Sequence, residues 1–265
     1  MPDQSKFQWL IRLGFVARGL LYMTIGFLVL KAGRTEDHEG ALAWLGNGVG
    51  KWLLVFLAGG FAAYGLWRLA DAIFGMESGR EGKEALGMRL AAGFSGIVHL
   101  FLAIQSFFLL QTARGAPRDA AEQRAEGVLQ LPGGPFLLGL VAIAFLVAGL
   151  YQLVDSARCG FLRRLGEGAG RQVWVRWLGR LGYAARGLLF LVCGWFLARS
   201  AVESNPSEAR GFDRALAWLS EPVDDVVAGG LFLFGLYSLV EARFRRVPEP
   251  PLEDIGAEMR EKLAR

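Results

Sequence analysis

Three arginines stand where a cation is costly: Arg18, Arg68 and Arg186 lie inside long apolar stretches of a 265-residue chain. A charge within a membrane span costs roughly 2 to 3 kcal/mol on insertion scales, so each must snorkel, face protein or meet a partner. Asp71, Asp155 and Glu241 fall near the ends of other apolar stretches, and Arg68, Gln152 and Ser238 follow the aromatic residue that precedes each acid. The pattern predicts an Arg-carboxylate cluster whose chemistry is either an interhelical tie that fixes helix register or a site for a substrate or ion.

His99, with Gln105 nearly two turns further on, adds polar character to a third stretch. A lone histidine there reads first as a packed, hydrogen-bonded residue and second as a proton relay or ligand; haem wants a second axial ligand that the stretches do not offer. The run Glu36-Asp37-His38-Glu39 could bind a metal only weakly, because it lacks rigid ligand spacing. Gly166-Glu167-Gly168-Ala169-Gly170 resembles a phosphate loop superficially, with no strand before it and no Gly-Lys-Ser/Thr end. No catalytic motif is found, so the expectation is a protein that is not an enzyme and carries no metal or cofactor. Cys159, at a helix end, and Cys193, inside a span, make no disulfide framework.

The elements that must position these residues follow from composition. Hydrophobic residues make up 53% of the chain, and they cluster in six segments near 10–31, 52–74, 90–111, 134–156, 181–200 and 223–244. A hydrocarbon core about 30 Å thick needs about 20 apolar residues per helix, which these segments approach or meet. The fold class is therefore an all-α membrane protein of six transmembrane helices. The first segment is too long for a signal peptide, contains Arg18 and is followed by Lys31-Ala32-Gly33-Arg34 in place of a small-residue cleavage site, so it reads as a retained helix.

Of the 29 Lys and Arg residues, 17 fall at the N-terminus, in the 75–89 and 157–180 connectors, in the C-terminal tail and at the span ends that adjoin them, against nine in the opposite connectors and their flanks and three deep within spans. This bias places both termini in the cytoplasm. The sequence pI near 9.3 has the same origin, and nucleic acid is not an expected partner. The lipid bilayer is the expected one, with a protein partner left open.

The helices also repeat. RLGFVARGLLYMTIGF at 12–27 aligns without gaps on RLGYAARGLLFLVCGW at 180–195, with nine of sixteen positions identical. RLAAGFSGIVHLFLAI at 89–104 keeps Arg89, Leu90 and Gly96 but has Ser95 where the others carry Arg18 and Arg186, and His99 where they carry Tyr22 and Phe190. Each following helix has a Gly-Leu-aromatic step and then an acid: Gly65 to Asp71, Gly149 to Asp155, Gly235 to Glu241. GALAWLG at 40–46 and RALAWLS at 214–220 recur between the helices of the first and third units, suggesting short interfacial turns with Trp44 and Trp218 at headgroup level.

Three hairpin repeats result, at 1–86, 87–170 and 171–247, with a cytoplasmic tail at 248–265, together one membrane domain. An even number of helices per unit makes the repeats parallel, and three copies close most naturally into a pseudo-threefold bundle. Gly14, Gly19, Gly26, Gly60 and Gly65, mirrored by Gly182, Gly187, Gly194, Gly230 and Gly235, are the expected packing stripes.

The repeated Ala-Arg-Gly-Leu-Leu-aromatic step, at Ala17-Arg18-Gly19 and Ala185-Arg186-Gly187 and degraded at Phe94-Ser95-Gly96, resembles the domain of unknown function 1206 family of bacterial membrane proteins over nearly the whole chain. The resemblance implies a bacterial origin, an inner-membrane location and this topology, and carries no activity. Two functions stay open: a small transporter, channel or ligand-binding bundle built on the charged cluster, or a membrane-embedded scaffold without permeation. Charged residues repeated at matched depth motivate the first; compact loops, the absence of a catalytic motif and the basic residues Arg243, Arg245 and Arg246 beside the membrane, which read equally as a topology signal, motivate the second.

Overall fold

The computed structural model describes residues 3–32, 50–75, 83–111, 120–166 and 168–246. The acidic run at 36–39, Trp44 with its loop, and the tail beyond 246 lie outside the described residues. Among the described residues eight α-helices follow in order: α1 (Asp3–Ala32), α2 (Gly50–Phe74), α3 (Lys83–Gln111), α4 (Ala120–Leu129), α5 (Gly134–Arg158), α6 (Val173–Glu203), α7 (Phe212–Leu219) and α8 (Val223–Phe244). Five of them contain a segment long and apolar enough to cross a membrane: Ile11–Leu30, Leu86–Phe107, Gly134–Arg158, Val173–Glu203 and Val223–Phe244. The stretch expected to span at 52–74 is the helix α2, 25 residues long, which is not one of these five.

Local chemistry sets the ends of the elements. Gly133 turns into α5 at φ 75°, a left-handed conformation that glycine takes without a Cβ penalty, and proline follows in the first turn. At the other end Cys159 adopts φ 52° and donates its N–H to the carbonyls of Asp155 and Ser156. Helix α8 opens with Asp224 and Asp225, whose charge suits the positive end of the helix dipole. Asn205 caps the 3-10 turn Pro206–Glu208, its side chain accepting the Ser207 N–H at 3.1 Å.

The tightest packing is between units. Helices α2 and α3, α5 and α6, and α8 and α1 form the three closest pairs, each joining the second helix of one unit to the first helix of another. The crossings share one geometry. A Cβ built on Gly19 would lie 2.9 Å from the Gly235 carbonyl oxygen, one on Gly96 3.0 Å from that of Gly65, and one on Gly187 2.9 Å from that of Gly149. Helices without a hydrophobic drive toward each other associate through such close backbone approach.

Within units the copies differ. In the first, a Cβ on Gly14 would meet Tyr64 Cβ at 2.4 Å and one on Gly60 would meet Ala17 Cβ at 2.7 Å; in the third, Gly182 faces Phe234 Cα at 2.6 Å and Gly230 faces Ala185 Cβ at 2.3 Å. The aligned positions of the middle unit are Ala91 and Ala144. Their methyl groups hold apart the backbones that glycine lets touch, and α3 and α5 meet loosely, with Phe94 edge-on to Phe145 at 5.6 Å. Large apolar side chains stay exposed along both helices, among them Ile97, Ile104, Ile143, Val147 and Leu150, as expected of surface facing lipid.

Two connectors hold structure that the sequence did not suggest. The short helix α4 buries Ala125 against Leu138, Ala201 and Ala209, and Glu122 pairs with Arg214 at 3.2 Å. In the 157–180 connector, Phe161 is fully buried, stacked on Tyr183 with centroids 5.2 Å apart. Gly179 makes room for it, since a Cβ there would fall 2.1 Å from the Phe161 ring. The RALAWLS turn is the helix α7, with Ala215 and Leu216 buried and Trp218 half exposed beside Phe196.

Candidate functional site

Arg18 is held on α1 one residue before Gly19, where that helix touches α8. Counting from Gly235, Ser238 and Glu241 come three and six residues later, on the same side of α8. Arg18 is therefore aimed at both. Its Nε donates to Ser238 Oγ at 3.1 Å, its Nη1 to the Tyr64 hydroxyl at 3.0 Å, and its Nη2 to Glu241 Oε2. Arg245 Nη1 donates to the other carboxylate oxygen, Glu241 Oε1.

Arg18, Glu241 and Arg245 are all buried, with Glu241 wholly inaccessible. Aromatic rings cover the guanidinium faces: Phe15 lies 4.7 Å from both Arg18 and Arg245, Phe234 5.1 Å from Arg18 and Trp67 5.2 Å from Arg245. A carboxylate saturated by two arginines, with ring faces closing the rest, fits an ion pair kept dry by protein.

Of the other expected members, Asp155 shares the neighbourhood of this pair, within electrostatic reach of Glu241 and Arg245. Arg68 reaches Asp71 on its own helix at 2.9 Å. Asp155 takes an arginine from the connector instead of Arg186, with Arg164 Nη2 donating to its Oδ2 at 3.3 Å. Arg164 also donates to the hydroxyls of Tyr151 at 3.1 Å and Tyr183 at 3.3 Å. Gly160 gives the carboxylate its room, since a Cβ there would stand 2.2 Å from Asp155 Oδ1. Asp155→Asn should release this clamp, lowering the melting temperature and speeding tryptic cleavage after exposed Arg163 several-fold, since local opening governs proteolysis. Unchanged cleavage would mean that the clamp holds nothing.

Arg186 has three rings around its guanidinium, Tyr22 at 5.4 Å and Phe190 and Phe234 each at 4.9 Å. It has no carboxylate partner among the described residues. His99 is buried, its Nδ1–H donating to the Ser95 carbonyl at 2.7 Å, with its ring 4.4 Å from that of Tyr64. Gln105 is half-buried further along α3. Of the expected cluster, Arg18, Glu241 and Asp155 share one charged neighbourhood with Arg164 and Arg245, Arg68 pairs with Asp71 on α2, and Arg186 and His99 pack among aromatics. Among the described residues no three His, Cys, Asp or Glu side chains gather as a metal site would require.

Two contributors went unrecognised in the sequence as members of the cluster. Arg164 and Arg245 read there as topology charges, although each follows an acid within ten residues. A second recurring device is the arginine that opens the repeat. Arg12 Nη1 donates to the carbonyls of Ala242 at 2.7 Å and Arg243 at 2.6 Å, while Arg89 donates to those of Ala72 at 2.7 Å and Ile73. Each neutralises the carbonyl end of the neighbouring second helix. In the third copy Arg180 instead lies over Trp177, and the end of α5 is closed by Cys159.

Comparison with known proteins agrees with the repeat. The chain is 28% identical over 249 residues to the uncharacterized protein YxxB of Bacillus subtilis (strain 168), covering 89% of this chain and 90% of that one. No solved structure matches. The pattern of the Domain of Unknown Function (DUF1206) matches three separate segments, 13–75, 90–158 and 181–245, one in each hairpin. With three matches spanning most of its length, this multi-pass helical membrane protein belongs to the DUF1206 family.

Proposed function

We propose that the protein crosses the bacterial inner membrane six times, both termini cytoplasmic, as three parallel hairpins about a pseudo-threefold axis, and serves as a non-enzymatic membrane-embedded scaffold. The arrangement is supported by the glycine crossings at Gly19 and Gly235, Gly96 and Gly65, and Gly187 and Gly149, which join the units in a cycle. The orientation is supported by the Lys and Arg bias. The bilayer is its partner, together with an unidentified protein, and nucleic acid is not.

One observation carries the scaffold reading over a channel: both carboxylate oxygens of inaccessible Glu241 are taken by arginines. A conducting site must bind weakly enough to release its ion, and a buried, doubly paired carboxylate does the opposite. Its place fits a tie, because it joins the first spanning helix to the last. A ligand-binding role draws on a different place, Arg186.

Vesicles containing the purified protein should pass potassium, chloride and protons no faster than protein-free vesicles. Arg18→Gln should leave that flux unchanged while lowering the melting temperature. Flux above the protein-free rate that a folded Arg18→Gln variant alters would overturn the scaffold reading.

A further inference from the structure

The two arginines of the repeat differ in what answers them. Arg18 spends three groups on three acceptors, Ser238, Tyr64 and Glu241. The residues aligned with these in the environment of Arg186 are Gln152, Phe234 and Asp155. Each has changed in what it offers. Phe234 presents a ring face at 4.9 Å and no hydroxyl, and Asp155 is engaged by Arg164. Gln152 stands three residues beyond Gly149, as Ser238 stands three beyond Gly235, and Arg186 precedes Gly187 as Arg18 precedes Gly19. The matching crossings therefore place Gln152 opposite Arg186.

Both side chains are left with buried, unanswered polar atoms. Among the described residues, Arg186 Nε and Gln152 Oε1 are buried without a hydrogen-bond partner, and Gln152 is only 6% exposed. Leaving such atoms unpaired costs roughly 1 to 3 kcal/mol each, more for a charged group. The rings of Tyr22, Phe190 and Phe234 occupy the neighbourhood of the guanidinium without accepting its in-plane N–H groups. An amide both donates and accepts, so beside the arginine it suits a group with an oxyanion next to a hydroxyl. Phe190 in turn touches Phe145, which meets Phe94 across the loose seam between α3 and α5. The site thus lies one aromatic layer behind the most open edge of the bundle.

We propose that Arg186 and Gln152 form a binding site for a phosphate group carrying or adjoining a hydroxyl, entering between α3 and α5. Arg186 takes the phosphate oxygens through its N–H edge, and Gln152 exchanges hydrogen bonds with the hydroxyl. The shared chemistry has two sources, the phosphoglycerol headgroup of a lipid or free phosphate.

Native mass spectrometry of the detergent-solubilised full chain, titrated with dioctanoyl phosphatidylglycerol, dioctanoyl phosphatidylcholine or inorganic phosphate, tests this. One phosphatidylglycerol should be retained per chain in preference to phosphatidylcholine. Loss of one charge-assisted contact corresponds to about tenfold or more in affinity, so Arg186→Gln should weaken retention by that factor and Gln152→Met by somewhat less. Arg180→Gln, which removes a charge from the same helix, should leave retention unchanged. Competition by millimolar inorganic phosphate, dependent on Arg186, would support the site with free phosphate as its source. Retention equal for both lipids, or unaltered in Arg186→Gln, overturns the proposal. If Arg186→Gln fails to fold, Gln152→Met decides: unaltered retention there overturns it.

Discussion

Glu241→Leu is expected to be the most damaging single substitution, costing about 3 to 5 kcal/mol because it strands buried charge instead of merely deleting a contact. The carboxylate answers Arg18 from α1 and Arg245 from its own helix, and both arginines are buried against the rings of Phe15, Trp67 and Phe234. Removing it leaves two guanidinium groups facing the same apolar space. Adding Arg18→Met should recover part of the loss, since the remaining Arg245 sits just beyond the end of α8 and can turn outward. Unfolding in mixed detergent micelles, read by circular dichroism, gives both numbers. A single variant as stable as wild type, or a double variant no better than the single, would show that the pair does not tie α1 to α8.

Adjacent glycines supply the second large effect with a built-in control. A methyl group at Gly230 would stand 2.3 Å from Ala185 Cβ, while one at Gly229 meets nothing within 4 Å. Gly60 and Gly59 repeat the contrast in the first unit, with Ala17 Cβ at 2.7 Å from the former and open space at the latter. Gly230→Ala should cost about 1 to 3 kcal/mol through forced separation of α6 and α8. Gly229→Ala should be neutral or stabilise by up to about 1 kcal/mol through helix propensity. Parallel melting curves decide it, and equal curves would mean that the crossing is slack.

The middle unit already embodies the first outcome. Ala91 and Ala144 occupy the positions of Gly14 and Gly60, and α3 and α5 pack loosely where α1 with α2 and α6 with α8 pack closely. Loss of the inner arginine at Ser95 accompanies the change. The divergence of this copy therefore alters the packing of its hairpin as well as its charge.

Helix positions, the repeat and the ten packing glycines were legible in the sequence because hydrophobic length and backbone proximity each act through residue type alone. A span needs apolar residues in a row, and two backbones touch only where side chains are absent. Which arginine meets which acid was not legible. Arg18 and Arg186 occupy the same place in nearly identical segments, yet one pairs with Glu241 while the acid aligned for the other is taken by Arg164 from a connector. A long side chain chooses among partners that converge in space, and the folding of residues 160–166 onto the end of α8, with Phe161 buried and Leu165 bridged to Arg245, brings in a competitor that no helical period announces. Composition and spacing determined the hairpins and their contact stripes; tertiary structure alone decided the pairing of charges, because that depends on distances between segments far apart in the chain.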